Sequence, residues 1–548
     1  MKAKACTIHI DTSEQTLPAV EGDTVMTALA RNGIHLRSDC GGKGSCGKCR
    51  IQVLGRDEIL HNAPKKDTVQ EWQDRYACQT GVKGDMTLRI PGESIMPAEV
   101  VAKPFLDVGP PVHSSPKKEA TSALQVAIDL GTSTVAVYLY DPTHNRITGS
   151  AVIGNPQMLY GRDVMSRISA IMQEPAHLDR MQGLIVKAVD RAIERLSADN
   201  DIHTDRIDAV QVVGNPTMIH IFWGETPESI GIHPFMPVSL DGKKASGRDL
   251  GLSTCPWAEI ASLPVISGFL GADIVAAALA CDLDHAAPGT MLIDVGTNGE
   301  ILLKTESGLL GTSCATGPAL EGAAISHGIH ATSGAIDTVC IESNGHLELG
   351  VIQRRPDESR KIIGMCGSGV LSAVAALRKR GIIDASGGFS KTCTHPNLRT
   401  DCSGDQHFVL AEAEHTESGL PVSISQSDIR AVQMAKSALL TGIQLLCREA
   451  GMITPEHIFL AGAFGNFLNP DDAMTIGLMP PLEQGSYTSV GNAAGLGAVM
   501  LLKSPEYRLQ AETIARGCHA LDLACHPHFQ DIFMENLRFP EVAEACVQ

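Results

Sequence analysis

The densest chemistry in this chain lies between residues 40 and 78. Cys40-Gly-Gly-Lys-Gly-Ser-Cys46-Gly-Lys-Cys49 is followed by Cys78, a spacing of C-x5-C-x2-C-x28-C. Three thiols from one loop and a fourth from a distant strand can supply the four thiolates of an iron–sulfur cluster. The interspersed glycines allow positive φ angles, which wrap a loop about such a group and aim backbone N–H groups at its sulfurs. Those hydrogen bonds help set the reduction potential. Zinc is the competing use of the thiols, but structural zinc usually draws on two close Cys pairs, and only one is present here. Cys40, Cys46, Cys49 and Cys78 are therefore the expected ligands of a [2Fe–2S] cluster, and Cys6 reads as a core residue.

A second chemistry is written twice. Val126-Ala-Ile-Asp129-Leu-Gly131-Thr132-Ser133-Thr134 is an apolar strand running into a hydroxyl-rich turn. Met291-Leu-Ile-Asp294-Val-Gly296-Thr297-Asn298-Gly299 repeats the design in the second half of the chain. Ile458-Phe-Leu-Ala-Gly462-Ala463-Phe464-Gly465-Asn466 is a third strand, ending in a glycine turn. Asp129 and Asp294 end buried strands, where a carboxylate can hold Mg²⁺ through water. The turns Gly131–Thr134 and Gly296–Asn298 offer N–H and O–H donors to phosphate oxygens from two sides. Gly462, Ala463, Phe464 and Gly465 would let backbone approach adenine or ribose. No G-x-x-x-x-G-K-[ST] loop occurs, so ATP would be held by these split turns.

The duplicated motif with its later glycine turn resembles the actin/sugar-kinase/heat-shock-chaperone superfamily. Sugar kinases of that superfamily carry a catalytic Asp ahead of an Ala-rich helix, and Gly271-Ala-Asp273-Ile-Val-Ala-Ala-Ala-Leu-Ala occupies the similar place. The resemblance implies that Asp273 orients or deprotonates the attacking water. A helix N-terminal Asp serving only the dipole is the alternative.

Elements must hold these groups in place. Residues 1–95 alternate short apolar and polar runs, as strands of a small sheet do, with an amphipathic helix over Thr24–Asn32 closed by Gly33. Residues 96–122, with Pro97, Pro104, Pro110, Pro111 and Pro116, read as a linker. From Leu124 onward, apolar strands ending in Gly/Thr/Ser turns alternate with helices at Val164–Ser197, Ala272–Leu283, Val370–Arg380 and Asp428–Ala450. That alternation indicates α/β layers, split into 123–285 and 286–505 where the second strand–turn motif begins. Residues 506–548 read as a helical tail packed on the ATP-binding part, and their irregularly spaced Cys and His do not make a metal site.

Composition narrows the function classes. The chain has 548 residues, 43% hydrophobic and 19% charged, in the globular range. A net charge of −18 argues against nucleic acid or an anionic membrane as partner. Lys117–Lys118 and Arg378–Lys379–Arg380 read as solvated surface. Met1–Ile10 shows no secretory pattern, and the apolar stretch Leu263–Leu283 contains Asp273 and several glycines, so it reads as a buried helix. The expectation is a cytoplasmic protein whose 16 Cys are reduced or bind metal.

The two sites on one chain resemble the reductive activators of corrinoid proteins. The likeness extends through Asn155-Pro-Gln157, Tyr160-Gly-Arg-Asp163-Val-Met-Ser-Arg167, Val213-Gly-Asn215-Pro-Thr-Met218-Ile-His220, Ala315-Thr-Gly-Pro-Ala-Leu-Glu321-Gly322, Cys366-Gly-Ser-Gly369 and Asp428-Ile-Arg430-Ala-Val-Gln433-Met-Ala-Lys436. It departs in having Pro216 after Asn215, where a hydroxyl residue is more usual. The resemblance implies an N-terminal β-grasp [2Fe–2S] ferredoxin-like domain joined to a two-lobed ribonuclease-H-like ATPase domain. It implies ATP hydrolysis coupled to one-electron reduction of a corrinoid protein from Co(II) to Co(I), serving a methyltransferase system. A low-potential electron donor would refill the cluster, and superfamily ATPases often pair, which raises a homodimer. The alternatives are an ATP-driven electron-transfer activator of another metalloenzyme, a redox-sensing ATP-binding protein, and a small-molecule kinase. Gly317–Gly322 and Gly364–Gly369 could line the partner's face or simply pack helix on strand.

Overall fold

The computed structural model describes residues 4–32, 34, 36–38, 42, 44, 47–56, 70–91, 94–95, 123–322, 325–353, 361–462, 468–482 and 485–541. The expected linker 96–122 and the site candidates Cys40, Cys46, Ala463, Phe464 and Gly465 lie outside them. Two compact units result: Met1–Ala98 with Pro156–Ala170, and Glu99–Asn155 with Ile171–Gln548.

In the first unit, β1 (Ala5–Ile10) and β2 (Gln15–Val20) form a hairpin, and α1 (Val25–Arg31) follows. With β3 (Arg50–Arg56), β4 (Gln70–Tyr76) and β5 (Met86–Arg89), the described strands make one sheet of order β2-β1-β5-β3-β4. β1 and β5 run parallel and the other pairings are antiparallel, as in a β-grasp fold. Strand periodicity turns Cys6, Ile8 and Ile10 inward, and α1 covers them with Val25, Met26 and Leu29. Burying each large apolar side chain contributes about 1.5–3 kcal/mol. Thr24 caps α1 by accepting from the Thr27 N–H.

The segment Pro156–Ala170 carries most of α2 (Val164–Gln173) and seats Leu159 on this core. Arg167 is wholly buried there, donating to the Gly161 carbonyl at 3.0 Å and to Gln157 Oε1 at 3.3 Å. Burial pulls its pKa down to about 9, against the attraction of Asp163. The sequence reads 164–197 as one helix. The structure ends α2 at Gln173 and starts α3 (Ala176–Asp199) after Pro175, which has no N–H to continue the ladder.

The second unit repeats one core twice. In its first lobe, β6 (Leu124–Leu130), β7 (Thr134–Asp141) and β8 (Arg146–Gly154) form an antiparallel meander. β9 (Ile207–Gly214), α4 (Pro216–Phe222), β10 (Lys244–Ser246), α5 (Gly247–Leu250), β11 (Glu259–Ser262) and α6 (Ala272–Ala280) follow. The sheet order is β10-β11-β9-β6-β7-β8, with β9 parallel to β6 and β11 parallel to β9. In the second lobe, β12 (Thr290–Val295), β13 (Gly299–Thr305) and β14 (Gly308–Cys314) form the same meander.

Between that meander and its parallel strands lie β15 (Ala335–Ile341), β16 (Leu347–Val351), β17 (Gly364–Met365), α7 (Gly367–Lys379), β18 (Leu398–Thr400), β19 (Gln406–Ala411), β20 (Val422–Ser425) and α8 (Gln426–Glu449). The chain then returns through β21 (His457–Ala461), α9 (Pro470–Ile476), β22 (Ser486–Gly491), α10 (Ala493–Lys503), α11 (Pro505–Gly517), β23 (Cys518–Ala520) and α12 (Phe529–Asn536). β21 runs parallel to β12 and β22 to β21, so the sheet order β22-β21-β12-β13-β14-β23 mirrors the first lobe. Two such sheets with helices against them are the ribonuclease-H-like, actin/sugar-kinase architecture.

The tail is locked to α8. Gln433 and Ser437 donate to the carbonyls of Leu537 and Phe533, and Lys436 to that of Arg538. Arg378 is buried and donates to the Pro540 carbonyl at 2.9 Å, so the Arg378–Lys379–Arg380 run is not the solvated surface that its composition suggests. Among the described residues, no helix is long and apolar enough to cross a membrane.

Candidate functional site

The thiol site belongs to the first unit. Cys49 precedes β3 and Cys78 follows β4, and pairing of those strands brings the two thiols together. Both are buried, with Sγ atoms 3.4 Å apart. That is too long for a disulfide bond of about 2.05 Å. It is near the ~3.8 Å that two metal–sulfur bonds of about 2.3 Å subtend at a tetrahedral centre. Gly42, Gly44 and Gly47 have φ of +82°, +79° and +69°, the left-handed conformations that a wrapping loop requires. Gln79 donates to the Gly42 carbonyl at 3.0 Å and lies 3.8 Å from Cys78 Sγ, tying the loop to the fourth thiol. The described half of the thiol set thus fits a metal–sulfur group.

The second site is a cleft in the two-lobed unit. Asp129 and Asp294 are the penultimate residues of β6 and β12, and each strand runs into its glycine turn. Gly131 N–H donates to the Thr134 carbonyl at 3.0 Å, and Gly296 N–H to that of Asn298 at 2.9 Å. A Cβ on Gly131 would stand 2.6 Å from the Thr134 oxygen, so the turn excludes a side chain there. Asn155 splints the first turn, with its backbone N–H on the Ser133 carbonyl and its amide on that of Gly131. Asn215 donates to Thr132 Oγ1 at 2.8 Å while capping α4 by accepting from Met218 N–H. Pro216 occupies the first turn of α4, where a missing N–H costs nothing.

The two turns meet across the cleft, with Ser133 Oγ and Thr297 Oγ1 3.3 Å apart. Gly462 closes a third side with φ +89°, and a Cβ there would lie 2.5 Å from Asp294 Oδ1. Asp273 sits in the first turn of α6 and accepts from Ile274 N–H at 2.9 Å. Asp129, Gly131, Thr132, Ser133, Thr134, Asp273, Asp294, Gly296, Thr297, Asn298 and Gly462 all line this one cleft. Gly367 and Ser368 add the N-terminus of α7, where helix dipoles favour an anion.

Carboxyls crowd the floor. Burial, and then the charges of Asp294 and Asp129, push the Asp273 carboxyl up to about 7. Glu300 is raised well above the usual carboxylate range by burial and by Asp273 and Asp294. The sequence reading missed Glu300 and Glu321, both of which line the cleft. Glu300 stands one residue beyond the second turn motif, on the face of β13 opposite the core residues Ile301 and Leu303. Glu321 ends a short 3-10 turn, Pro318–Glu321, within a run whose small residues drew attention instead. Within those runs Gly322, Gly364 and Gly369 are closely packed: a Cβ there would lie 2.6, 2.5 or 2.1 Å from a backbone carbonyl oxygen.

Comparison with known proteins agrees with both sites. Residues 8–83 match the 2Fe-2S iron-sulfur cluster binding domain, 124–286 the RACo middle region, and 289–547 the C-terminal ASKHA domain of RACo. The corrinoid activation enzyme RamQ of Eubacterium limosum is 30% identical across 97% of both chains. The chain belongs to the reductive activators of corrinoid proteins. A Methanosarcina barkeri reductase of the Co(II) methylated amine-specific corrinoid protein is 25% identical to this activator, over 65% of each chain. The solved structure of a reductive activator for corrinoid,iron-sulfur protein superposes on it with a TM-score of 0.71 at 25% identity, covering 98% of both chains.

Proposed function

We propose that this protein is an ATP-hydrolysing reductase that returns a corrinoid protein from Co(II) to Co(I) by one electron, serving a corrinoid-dependent methyltransferase. The observation that carries the reading is one chain holding both a buried thiol pair beside a left-handed glycine loop and a two-sided hydroxyl and carboxyl cleft. In the proposal, Cys40, Cys46, Cys49 and Cys78 hold a [2Fe–2S] cluster, which when bound supplies a one-electron store. The ferredoxin-like domain spans 1–95, the linker 96–122, the ATPase lobes 123–285 and 286–505, and the tail 506–548. A low-potential donor and a homodimeric state complete it.

In the cleft, the turns Gly131–Thr134 and Gly296–Asn298 orient the phosphates, and Gly462, Ala463, Phe464 and Gly465 the nucleoside. Asp129 and Asp294 present oxygen-only donors, the set that suits Mg²⁺ held through water. Asp273, with its pKa brought to about 7, is matched to accepting a proton from water at neutral pH. ATP is needed because each ~59 mV of uphill one-electron transfer costs about 1.4 kcal/mol.

The test mixes reduced protein, a Co(II) corrinoid protein and MgATP under anaerobic conditions. A Co(I) absorption band that depends on ATP is expected. Its absence would refute the reading. Cys46→Ala is expected to abolish the band while nucleotide binding persists.

A further inference from the structure

Glu321 has no part in the site as read from sequence, yet its carboxylate holds the centre of the phosphate clamp. Ser133 Oγ donates to Glu321 Oε2 at 2.8 Å, and Thr297 Oγ1 donates to the same oxygen at 3.1 Å. Each hydroxyl has one proton to give, and both are committed to this oxygen. The 3.3 Å approach of Ser133 to Thr297 is therefore a consequence of their shared acceptor. One hydroxyl comes from each lobe, so the carboxylate stitches the two turns together across the cleft.

A phosphate oxygen asks for the same thing: a negative acceptor between two hydroxyl donors. It cannot share those donors with Glu321, and two like charges cannot occupy one seat. We propose that Glu321 is a phosphate sensor. The nucleotide's phosphates take the Ser133 and Thr297 hydroxyls from it and drive the carboxylate out of the clamp. This rests on the ATP reading of the cleft and extends it.

The surrounding backbone suits such a displacement. The turn that carries Glu321 lies between Gly317 at φ +70° and Gly322 at φ +77°. At Gly317 an added Cβ would meet nothing within 4 Å, so its glycine serves backbone conformation and not space. Upstream, Thr316 Oγ1 donates to the Thr297 carbonyl at 3.1 Å, which fixes one end of the turn to the second phosphate loop. Ala319 and Leu320, beside Glu321, are buried in the second-lobe core, and the turn packs against α7 and α8. Movement of the carboxylate is thus communicated to two helices of that lobe.

The test is equilibrium titration of the full-length protein with MgATP and with AMP, comparing wild type with Glu321→Gln. Gln keeps the shape and a hydroxyl acceptor but removes the charge. Relief of one like charge close to the phosphates should tighten ATP binding about tenfold, while AMP, with a single phosphate, should change less than about twofold. Glu321→Ala should change in the same direction and serves if the Gln variant is poorly folded. Unchanged or weakened ATP binding would overturn the proposal, the latter by making Glu321 a holder of the nucleotide. An equal gain for AMP and ATP would overturn it too, because displacement by phosphate would then not be the cause. A wild type that binds no adenine nucleotide would refute the ATP reading itself, and this proposal with it.

Discussion

Replacing Asp273 by Asn removes one of the carboxyls packed around the cleft floor, and the structure sets both the sign and the size of the effect. The folded protein holds the Asp273 proton up to about pH 7, against 3.8 for an unperturbed Asp. The unfolded chain binds fewer protons over that window, so wild-type stability falls as pH rises from about 4 through 7. At 1.36 kcal/mol per pH unit the cost is about 2 kcal/mol at pH 5.5 and about 4 kcal/mol at pH 8, before solvent in the cleft trims both. Asp273→Asn should therefore stabilise the ATPase part, with a gain that roughly doubles across that interval. Guanidinium unfolding followed by the fluorescence of Trp223 and Trp257 measures it. ATP hydrolysis should fall by about 10²–10⁴-fold with nucleotide binding kept, the usual size for loss of a general base. A stability gain that is absent, or the same at both pH values, would show that the buried-carboxyl argument is wrong. A gain with unimpaired hydrolysis would leave the electrostatics standing and remove Asp273 from the chemistry.

Two structural predictions follow from close approaches. Gly497→Ala should destabilise by about 1–3 kcal/mol, because a Cβ there would lie 2.0 Å from the Ala276 carbonyl oxygen and force α10 away from α6, checked by thermal unfolding. Ser425→Ala should cost about 1 kcal/mol, since Ser425 accepts from Asp428 N–H as the N-cap of α8, with the cost read from the denaturation midpoint.

The candidate groups could be named from sequence because their signals are local. Three loop thiols, two Asp-x-Gly turns and one later glycine turn each occupy short runs whose residue types have few other uses. Asp129 and Asp294 were found because strand, carboxylate and turn are contiguous. Asp273 came from a likeness to sugar kinases, since a lone acid in a helix's first turn has a bland explanation.

The rest depended on contacts between distant residues. Glu300 and Glu321 sit in ordinary strings, and only the pleat of β13 and the Pro318–Glu321 turn aim them into the cleft. The second glycine turn meets the first through hydroxyls 164 positions apart. Arg378 reads as a surface cation until the Pro540 carbonyl, 162 residues later, takes its guanidinium. The sequence by itself determined which groups could bind iron–sulfur and phosphate, because ligand type and local spacing are properties of short segments. Tertiary structure alone decided which carboxyls share a floor and which charge sits between the turns. Burial and proximity, which set a group's pKa and its competitors, arise only when separate segments pack together.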